Sequence, residues 1–320
     1  MKPFTSMKIM STALDPLLKS ILEIESETGN CTGMRDFLAS LAEMRGWRHS
    51  QDEAGNLYVV SGDADSYPCI VAHLDTVHDI TGDGIVPVVI GENVTGMNPV
   101  TMQQTGIGGD DKCGIYAALY CLQNLPACRA AFFVDEESGC EGSGAADMAF
   151  FADCRFVLQA DRRGNSDFVT DISGPLSSSR FQKAVAPLLK RHGYRKSPGG
   201  LTDVMQLRDN GIGVSVANMS AGYYNPHTSG EYINLPDLQR ACDLMLDICQ
   251  LPGRFPFTPP KRRERWSGFF AREERQSLRE YYHSLWSPPT CSHCGHRAPE
   301  GAELCDTCDA NFELERLIGL

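Results

Sequence analysis

The sequence predicts an α/β fold, with a mainly parallel central sheet and helices on both faces, followed by a short cysteine-stapled module. Three observations carry this. Apolar runs without polar alternation, such as Cys69–Ala72 and Ala130–Val134, read as strands buried on both faces. Stretches with apolar residues at helical spacing are interleaved with them, the order expected of βαβ units. Two CxxC motifs close the chain at a spacing that can bring four thiols together.

The elements follow in order. Met34 to Arg45 carries Met34, Phe37, Leu38, Leu41 and Met44 on one helical face, and Gly46 stops it. Asn56 to Val60 reads as a strand, as do Cys69 to Ala72 and the β-rich Ile85 to Ile90. A glycine-rich loop, Gly108-Gly109-Asp110-Asp111, opens a helix over Lys112 to Leu125 with Ile115, Leu119 and Leu122 on one side. Strands over Ala130 to Val134, Phe156 to Leu158 and Val214 to Ala217 complete the sheet. A helix over Ser178 to Arg191, with Phe181, Val185, Leu188 and Leu189 on one face, lies between the last two.

Composition narrows the class. Hydrophobic residues make up 42% of 320 and charged residues 22%, so a packed core is available and wholesale disorder is excluded. A net charge of -12 argues against a protein that coats nucleic acid or an anionic membrane. No apolar run approaches the roughly 20 residues that span a bilayer. The N-terminal stretch has Lys2 and Lys8 but no apolar core of a signal peptide. The expectation is a cytoplasmic protein with its 13 cysteines reduced. After Leu251 the composition shifts: residues 254–290 hold eight basic and four acidic residues and begin proline-rich. The reading is therefore a domain over 1–252, a Pro/Arg-rich linker over 253–289 with room for a short helix, and a module with its tail over 290–320.

Metal-ligand chemistry sits where several strands end. Cys69–Ala72 runs into His73-Leu74-Asp75, and Ala130–Val134 into Asp135-Glu136-Glu137. Phe156–Leu158 is followed by Gln159-Ala160-Asp161, and Val214–Ala217 leads through a loop to Asn225-Pro226-His227. In open α/β sheets, ligands bind beyond the carboxyl ends of the strands. Taken singly, each piece has an ordinary explanation: a capping pair, an exposed acidic loop, an N-cap, a surface histidine. Taken together, two imidazoles and several carboxylates at one predicted edge form the donor set of a borderline divalent cation. Two cations sharing a carboxylate can activate a water, and a neighbouring free carboxylate can take its proton. Adjacent glutamates suit that division, one binding metal and the other facing the water.

The order and local patterns resemble the di-zinc metallopeptidase clan of peptidase T, the aminoacylases and carboxypeptidase-type exopeptidases. The matching stretches are AHLDTV (72–77), GGDDKCG (108–114), VDEESG (134–139), Asp161 and YNPHTSGEYI (224–233), and GGLTDVMQLRDNGIG before the last. They cover roughly residues 15–250. The resemblance implies that His73 and Asp161 bind one zinc, Glu137 and His227 a second, and that Asp110 bridges both. It also implies that Asp75 orients the His73 ring and that Glu136 is the general base. Many members insert a lid or dimerisation domain between the positions matching Asp161 and His227. Here only 65 residues separate them, which leaves no room for it. A lid histidine that steadies the reacting oxyanion in such members would then need a substitute; His192, Tyr223 and Tyr224 are the candidates.

The closing motif, Cys291, Cys294, Cys305 and Cys308 in a C-x2-C-x10-C-x2-C pattern, resembles a zinc ribbon. A stretch this short cannot bury a core unaided, so the metal would supply its folding energy. Its acidic character favours a protein partner over nucleic acid. The functional expectation is a hydrolase with two divalent metal ions, zinc by donor set, and a third, structural zinc. Its substrates would be short peptides or N-acyl amino acids. The alternative is a non-catalytic adaptor, a degenerate peptidase fold acting through the ribbon, against which the intact Glu136 speaks.

Overall fold

The computed structural model describes residues 14–253 and 256–260. The chain divides into two units, Met1–Arg262 and Arg263–Leu320, and every described residue belongs to the first. The expected ribbon with its four cysteines, and the helix expected over Arg272 to Leu285, lie outside the described residues.

Local signals set most of the elements. Helix α1 (Pro16–Leu22) starts on Asp15, whose carboxylate accepts the N–H groups of Leu17 and Leu18. Helix α2 (Thr32–Arg45) ends where Gly46 turns left-handed, φ 68°. Strands β1 (Arg48–Gln51), β2 (Leu57–Ser61) and β3 (Tyr67–His73) follow. Next come β4 (Val86–Ile90) and β5 (Asn93–Met97), a hairpin about Gly91 and Glu92 with Gly91 at φ 64°, then β6 (Gln104–Thr105). Helix α3 (Gly109–Asn124), β7 (Cys128–Phe133), α4 (Glu141–Gly144), β8 (Cys154–Gln159) and β9 (Asp167–Val169) lead to α5 (Ser179–His192). The Ser178 hydroxyl accepts the Phe181 N–H at the start of α5, and Gly193 ends it. The chain closes with β10 (Arg195–Ser197), α6 (Asp203–Asp209), β11 (Ser215–Met219), β12 (Tyr223–Tyr224), β13 (Tyr232–Asn234) and α7 (Leu235–Cys249).

Eight strands form the central sheet in the order β1-β2-β7-β3-β8-β11-β9-β10. Its middle, β7-β3-β8-β11, is parallel throughout, while β2 and β9 run antiparallel to their inner neighbours. Alternate side chains of β3 feed two cores. Ile70 and Ala72 join the face covered by α1, α2, α3, α5 and α7, and Cys69 and Val71 join the face covered by α6. Burial on both faces is why these strands lack polar alternation.

Two features depart from the expectation. The Ile85–Ile90 strand does not join the central sheet; β12-β13-β5-β4, with β6 beside β5, form a separate antiparallel sheet. Its short strands carry too little periodicity to be read individually. The second departure is at the carboxyl end. Phe257, expected in the linker, is 7% exposed and packs between Phe156 and Phe181, at ring distances of 6.1 and 5.4 Å. Its N–H donates to Arg155 O and its carbonyl accepts the Ser215 N–H. The prolines around it look like a spacer, but the backbone they stiffen is a strap on the domain.

Candidate metal centre

Four adjacent parallel strands, β7, β3, β8 and β11, aim their carboxyl ends the same way. His73 is the last residue of β3 and 1% exposed. Its Nδ1 lies 2.9 Å from the carbonyl oxygen of Asp75 and 3.4 Å from that residue's Oδ1. A carbonyl can only accept, so Nδ1 carries a hydrogen and Nε2 is the atom turned towards a cation. Nε2 stands 3.2 Å from Asp110 Oδ1 and 3.8 Å from Asp161 Oδ1.

Asp75 does more than face the ring. Fully buried, it accepts the N–H of Glu136 on Oδ1 (3.0 Å) and that of Glu137 on Oδ2 (3.3 Å), with the Thr28 hydroxyl at 2.9 Å. It therefore ties the β3 end to the turn after β7. Burial pushes its pKa up, but His73 and these donors more than offset it, and the carboxyl is held below its ordinary value.

Asp110 stands at the mouth of α3, where Gly108 at φ 66° turns the chain into the helix. Its two oxygens divide: Oδ1 faces His73 and Oδ2 lies 3.3 Å from His227 Nε2. Glu137 Oε1 lies 3.0 Å from the same nitrogen. The neighbouring Asp111, near His73 and Asp161, is spent on the backbone, accepting the N–H groups of His73 (3.2 Å) and Gly114 (3.0 Å).

Asp161 follows β8. Its Oδ2 accepts Thr202 Oγ1 (3.0 Å) and Gln159 Nε2 (3.1 Å), and its Oδ1 accepts the Tyr223 hydroxyl at 3.3 Å. Gln159 also donates to the buried Asp203. The signals for this network were the GLTD stretch and the glutamine two residues before Asp161, neither of which is informative alone. Glu136 has an oxygen within 4.8 Å of a His73 nitrogen, and Cys140 Sγ lies 3.5 Å from its Oε1.

All seven residues expected at the main site, His73, Asp75, Asp110, Glu136, Glu137, Asp161 and His227, thus meet at one sheet edge. Three overlapping groups hold ligand atoms within 4.8 Å of one another: His73, Asp111 and Asp161; His73, Glu136 and Glu137; Asp110, Glu137 and His227. Ligands about 2.0–2.1 Å from a tetrahedral cation stand about 3.3 Å apart. The separations of 3.0, 3.2 and 3.3 Å between these nitrogens and oxygens match that spacing. Glu137 Oε1 is also buried, 3.0 Å from His227 Nε2. Nitrogens and carboxylate oxygens buried together at this spacing fit a shared cation.

The electrostatics have the same origin. Burial alone lowers the pKa of His73 and His227. Asp110, with Asp161 and Asp75 at one ring and Glu137 at the other, reverses this, carrying His73 well above its ordinary value and His227 to about 10. Burial raises Glu136 well above the usual carboxylate range, with Asp161, Glu137 and Asp203 adding to it. Burial and Asp110 push Asp161 up to about 7.

The three oxyanion candidates separate. His192 Nε2 lies 2.8 Å from Asp247 Oδ2, beside Arg191, as part of an α5–α7 surface contact. The Tyr224 hydroxyl donates to Asp237, and its ring stacks on Tyr232 at 5.0 Å. Of the three, Tyr223 is the one whose hydroxyl reaches the ligand cluster.

No protein-family model matches the chain, and no curated protein matches it by sequence. Solved structures do match by fold. Aminopeptidase PepT from Bacillus cereus superimposes at a TM-score of 0.61 and 15% identity, covering 73% of this chain and 96% of that one. A tripeptidase from Staphylococcus aureus gives 0.59 at 16% identity, covering 73% and 96%. An aminopeptidase from the archaeon Desulfurococcus kamchatkensis gives 0.54 at 17%, covering 73% and 94%. At these identities the likeness establishes a fold shared with peptidases.

Proposed function

We propose that this chain is a metal-dependent hydrolase that cleaves the amide bond of short peptides or N-acyl amino acids. The observation that carries the reading is Asp110: one partly buried carboxylate offers one oxygen to each histidine, while Glu136 stands beside them. His73, Asp161 and Asp110 would hold one divalent cation, and Glu137, His227 and Asp110 the other, zinc by donor type. Bound there, the cations polarise the scissile carbonyl and make a water acidic.

The chain's own residues do the rest. Glu136 takes the proton of the attacking water and hands it to the leaving amine. Burial favours its protonated form, which suits a group that must hold a proton between the two transfers. Asp75 keeps Glu136 and Glu137 in place through their backbone N–H groups and fixes the His73 ring. Residues 162–226 contribute β9, β10 and β11 to the central sheet, together with α5, α6 and β12, which supports a reading without an inserted lid. The likeness to an aminopeptidase and a tripeptidase supports peptides as substrates.

We place the protein in the cytoplasm. Its nine described cysteines are all free and buried, which fits a reducing compartment. No helix among the described residues is long and apolar enough to cross a membrane. Cys291, Cys294, Cys305 and Cys308 would hold a third, structural zinc in a ribbon that meets a protein partner.

The test is hydrolysis of dipeptides, tripeptides and N-acyl amino acids by purified protein, before and after chelation. Turnover should vanish on chelation and return with Zn²⁺. Glu136→Gln should abolish turnover with both cations retained, whereas Glu137→Gln should lose a cation as well. A fully loaded protein inert on the whole panel would leave the adaptor reading in its place.

A further inference from the structure

Glu231 is fully buried, four residues beyond His227 and directly before β13. Its carboxylate collects donors from two other segments. Oε2 accepts the Gly108 N–H at 2.7 Å and faces His78 Nε2 at 3.0 Å. Oε1 accepts the Asp110 N–H at 3.1 Å. The backbone of Glu231 is fixed in turn, its N–H donating to Thr228 O at 3.2 Å and its carbonyl accepting Thr95 Oγ1 at 3.3 Å.

The glycines around it are shaped by this contact. A Cβ on Gly109 would stand 2.7 Å from Tyr223 Cβ and 3.3 Å from Glu231 Oε1. A Cβ on Gly106 would stand 1.9 Å from the His78 ring. The Gly106-Ile107-Gly108-Gly109 run is thus a cradle that lets a carboxylate–imidazole pair reach the backbone of the Asp110 loop. Lys112, buried in the first turn of α3, adds a nearby positive group; its ammonium donates to Leu22 O at 3.3 Å.

We infer that Glu231, supported by His78, is a positioning residue that fixes the spacing between Asp110 and His227 and so sets the affinity of the cation those two share with Glu137. The inference rests on the two-cation reading above. His227 and Glu231 belong to one short loop, and Glu231 holds the N–H of Asp110 itself. A shift of either ligand relative to the other therefore has to stretch this clamp. His73 and Asp161 are positioned elsewhere, by Asp75 and by Thr202, Gln159 and Tyr223, so their cation depends on the clamp only through Asp110. The charge matters because the two backbone N–H groups use different oxygens. A glutamine there would turn an NH₂ towards one donor and keep a single acceptor.

The experiment is a Zn²⁺ titration of the metal-free full chain against a competing chelator, resolving the two stepwise constants of the main site. Glu137→Gln marks the step that belongs to the His227 cation. Glu231→Ala should weaken that step by about 10–100-fold, the usual loss for a residue that orients a metal ligand, and leave the other within a few-fold. Glu231→Gln should fall between parent and Ala, and His78→Gln should weaken the same step less than Ala does. Should Glu231→Ala fail to fold, the Gln and His78 variants decide the matter. Unchanged constants in variants whose parent binds both cations overturn the inference and leave the proposed function standing. Equal loss at both steps, paired with a lowered metal-free melting temperature, overturns it in favour of a purely structural role. A parent that binds no cation pair takes both down together.

Discussion

Replacing Tyr223 by Phe separates two roles that its position allows. The hydroxyl donates to Asp161 Oδ1 at 3.3 Å, and the residue is 2% exposed. A hydrogen bond to a charged group contributes about 1.5–3 kcal/mol, and 3.3 Å is long for an O–H donor, so the lower end applies. Asp161 keeps Thr202 and Gln159 on its other oxygen. The expected loss is therefore about 1.5 kcal/mol, or roughly tenfold in affinity for the cation held by His73 and Asp161. The ring still packs over Gly109, so the loss of metal-free stability should not exceed that of this one hydrogen bond. Burial raises the Tyr223 pKa well above its ordinary value, so the hydroxyl stays a neutral donor across neutral pH. Chelator competition gives the affinity, and kcat at saturating Zn²⁺ gives the turnover. An unaltered affinity with kcat down by about 10²–10³ would refute this reasoning and make Tyr223 the oxyanion donor.

Further outcomes concern the Phe257 strap, the metal content and the dependence on pH. Phe257→Ala should destabilise the domain by about 3 kcal/mol and lower its melting temperature by roughly 6–12 °C, read by thermal denaturation. Truncation after residue 252 should do at least as much, and truncation after 262 should not. Metal analysis of the loaded full chain should find about three zinc ions, against two for the 1–262 truncation; equal contents would refute the ribbon. Metal binding should strengthen as pH rises, because His227, at about 10, and His73 are protonated in the metal-free site and must lose their protons to bind. Calorimetry in buffers of different ionisation enthalpy should find about two or more protons released per pair of ions near neutral pH. The sign for stability is opposite. Groups whose folded pKa is raised stabilise the fold below their unfolded values and lose that contribution as pH climbs through the folded ones. The metal-free melting temperature should thus fall between about pH 4 and 7 as Asp161 titrates, and again from about pH 6.5 towards 10 as His227 does.

The central sheet was legible because its middle strands are buried on both faces and so announce themselves as uninterrupted apolar runs. The ligand positions were legible for a related reason: parallel strands end on one side, where His73 closes β3 and Asp161 and Glu137 lie just beyond β8 and β7. Phe257 was hidden by composition, since prolines that mark a spacer equally stiffen a strap, and one buried ring makes the difference. Asp75 was read as a partner of the His73 ring. Its larger task, holding the N–H groups of Glu136 and Glu137, depends on contacts 61 and 62 residues away that no local pattern encodes. Glu231 was hidden the same way: it lay inside a quoted motif, yet its donors come from Gly108 and Asp110, 123 and 121 residues distant.

The acids around the site fall into two kinds, and the division follows from what each touches. Asp75 receives backbone N–H groups, a hydroxyl and an imidazole, and its carboxyl is held low in spite of burial. Asp110, between two imidazoles, is held low as well. Glu136, Glu137 and Asp161 are pushed up, chiefly by burial. Crowding several carboxylates out of water is costly unless opposite charge arrives, and two histidines do not supply enough. Two divalent cations would. Among the proposed ligands and base, Asp161, Glu137 and Glu136 are raised, and burial raises the neighbouring Asp111 and Asp203 as well. The fold thus secures Asp75 with hydrogen bonds of its own and leaves Asp161 and Glu137 short of compensating charge, so loading the site with metal is expected to stabilise the domain and to order its chemistry in one step.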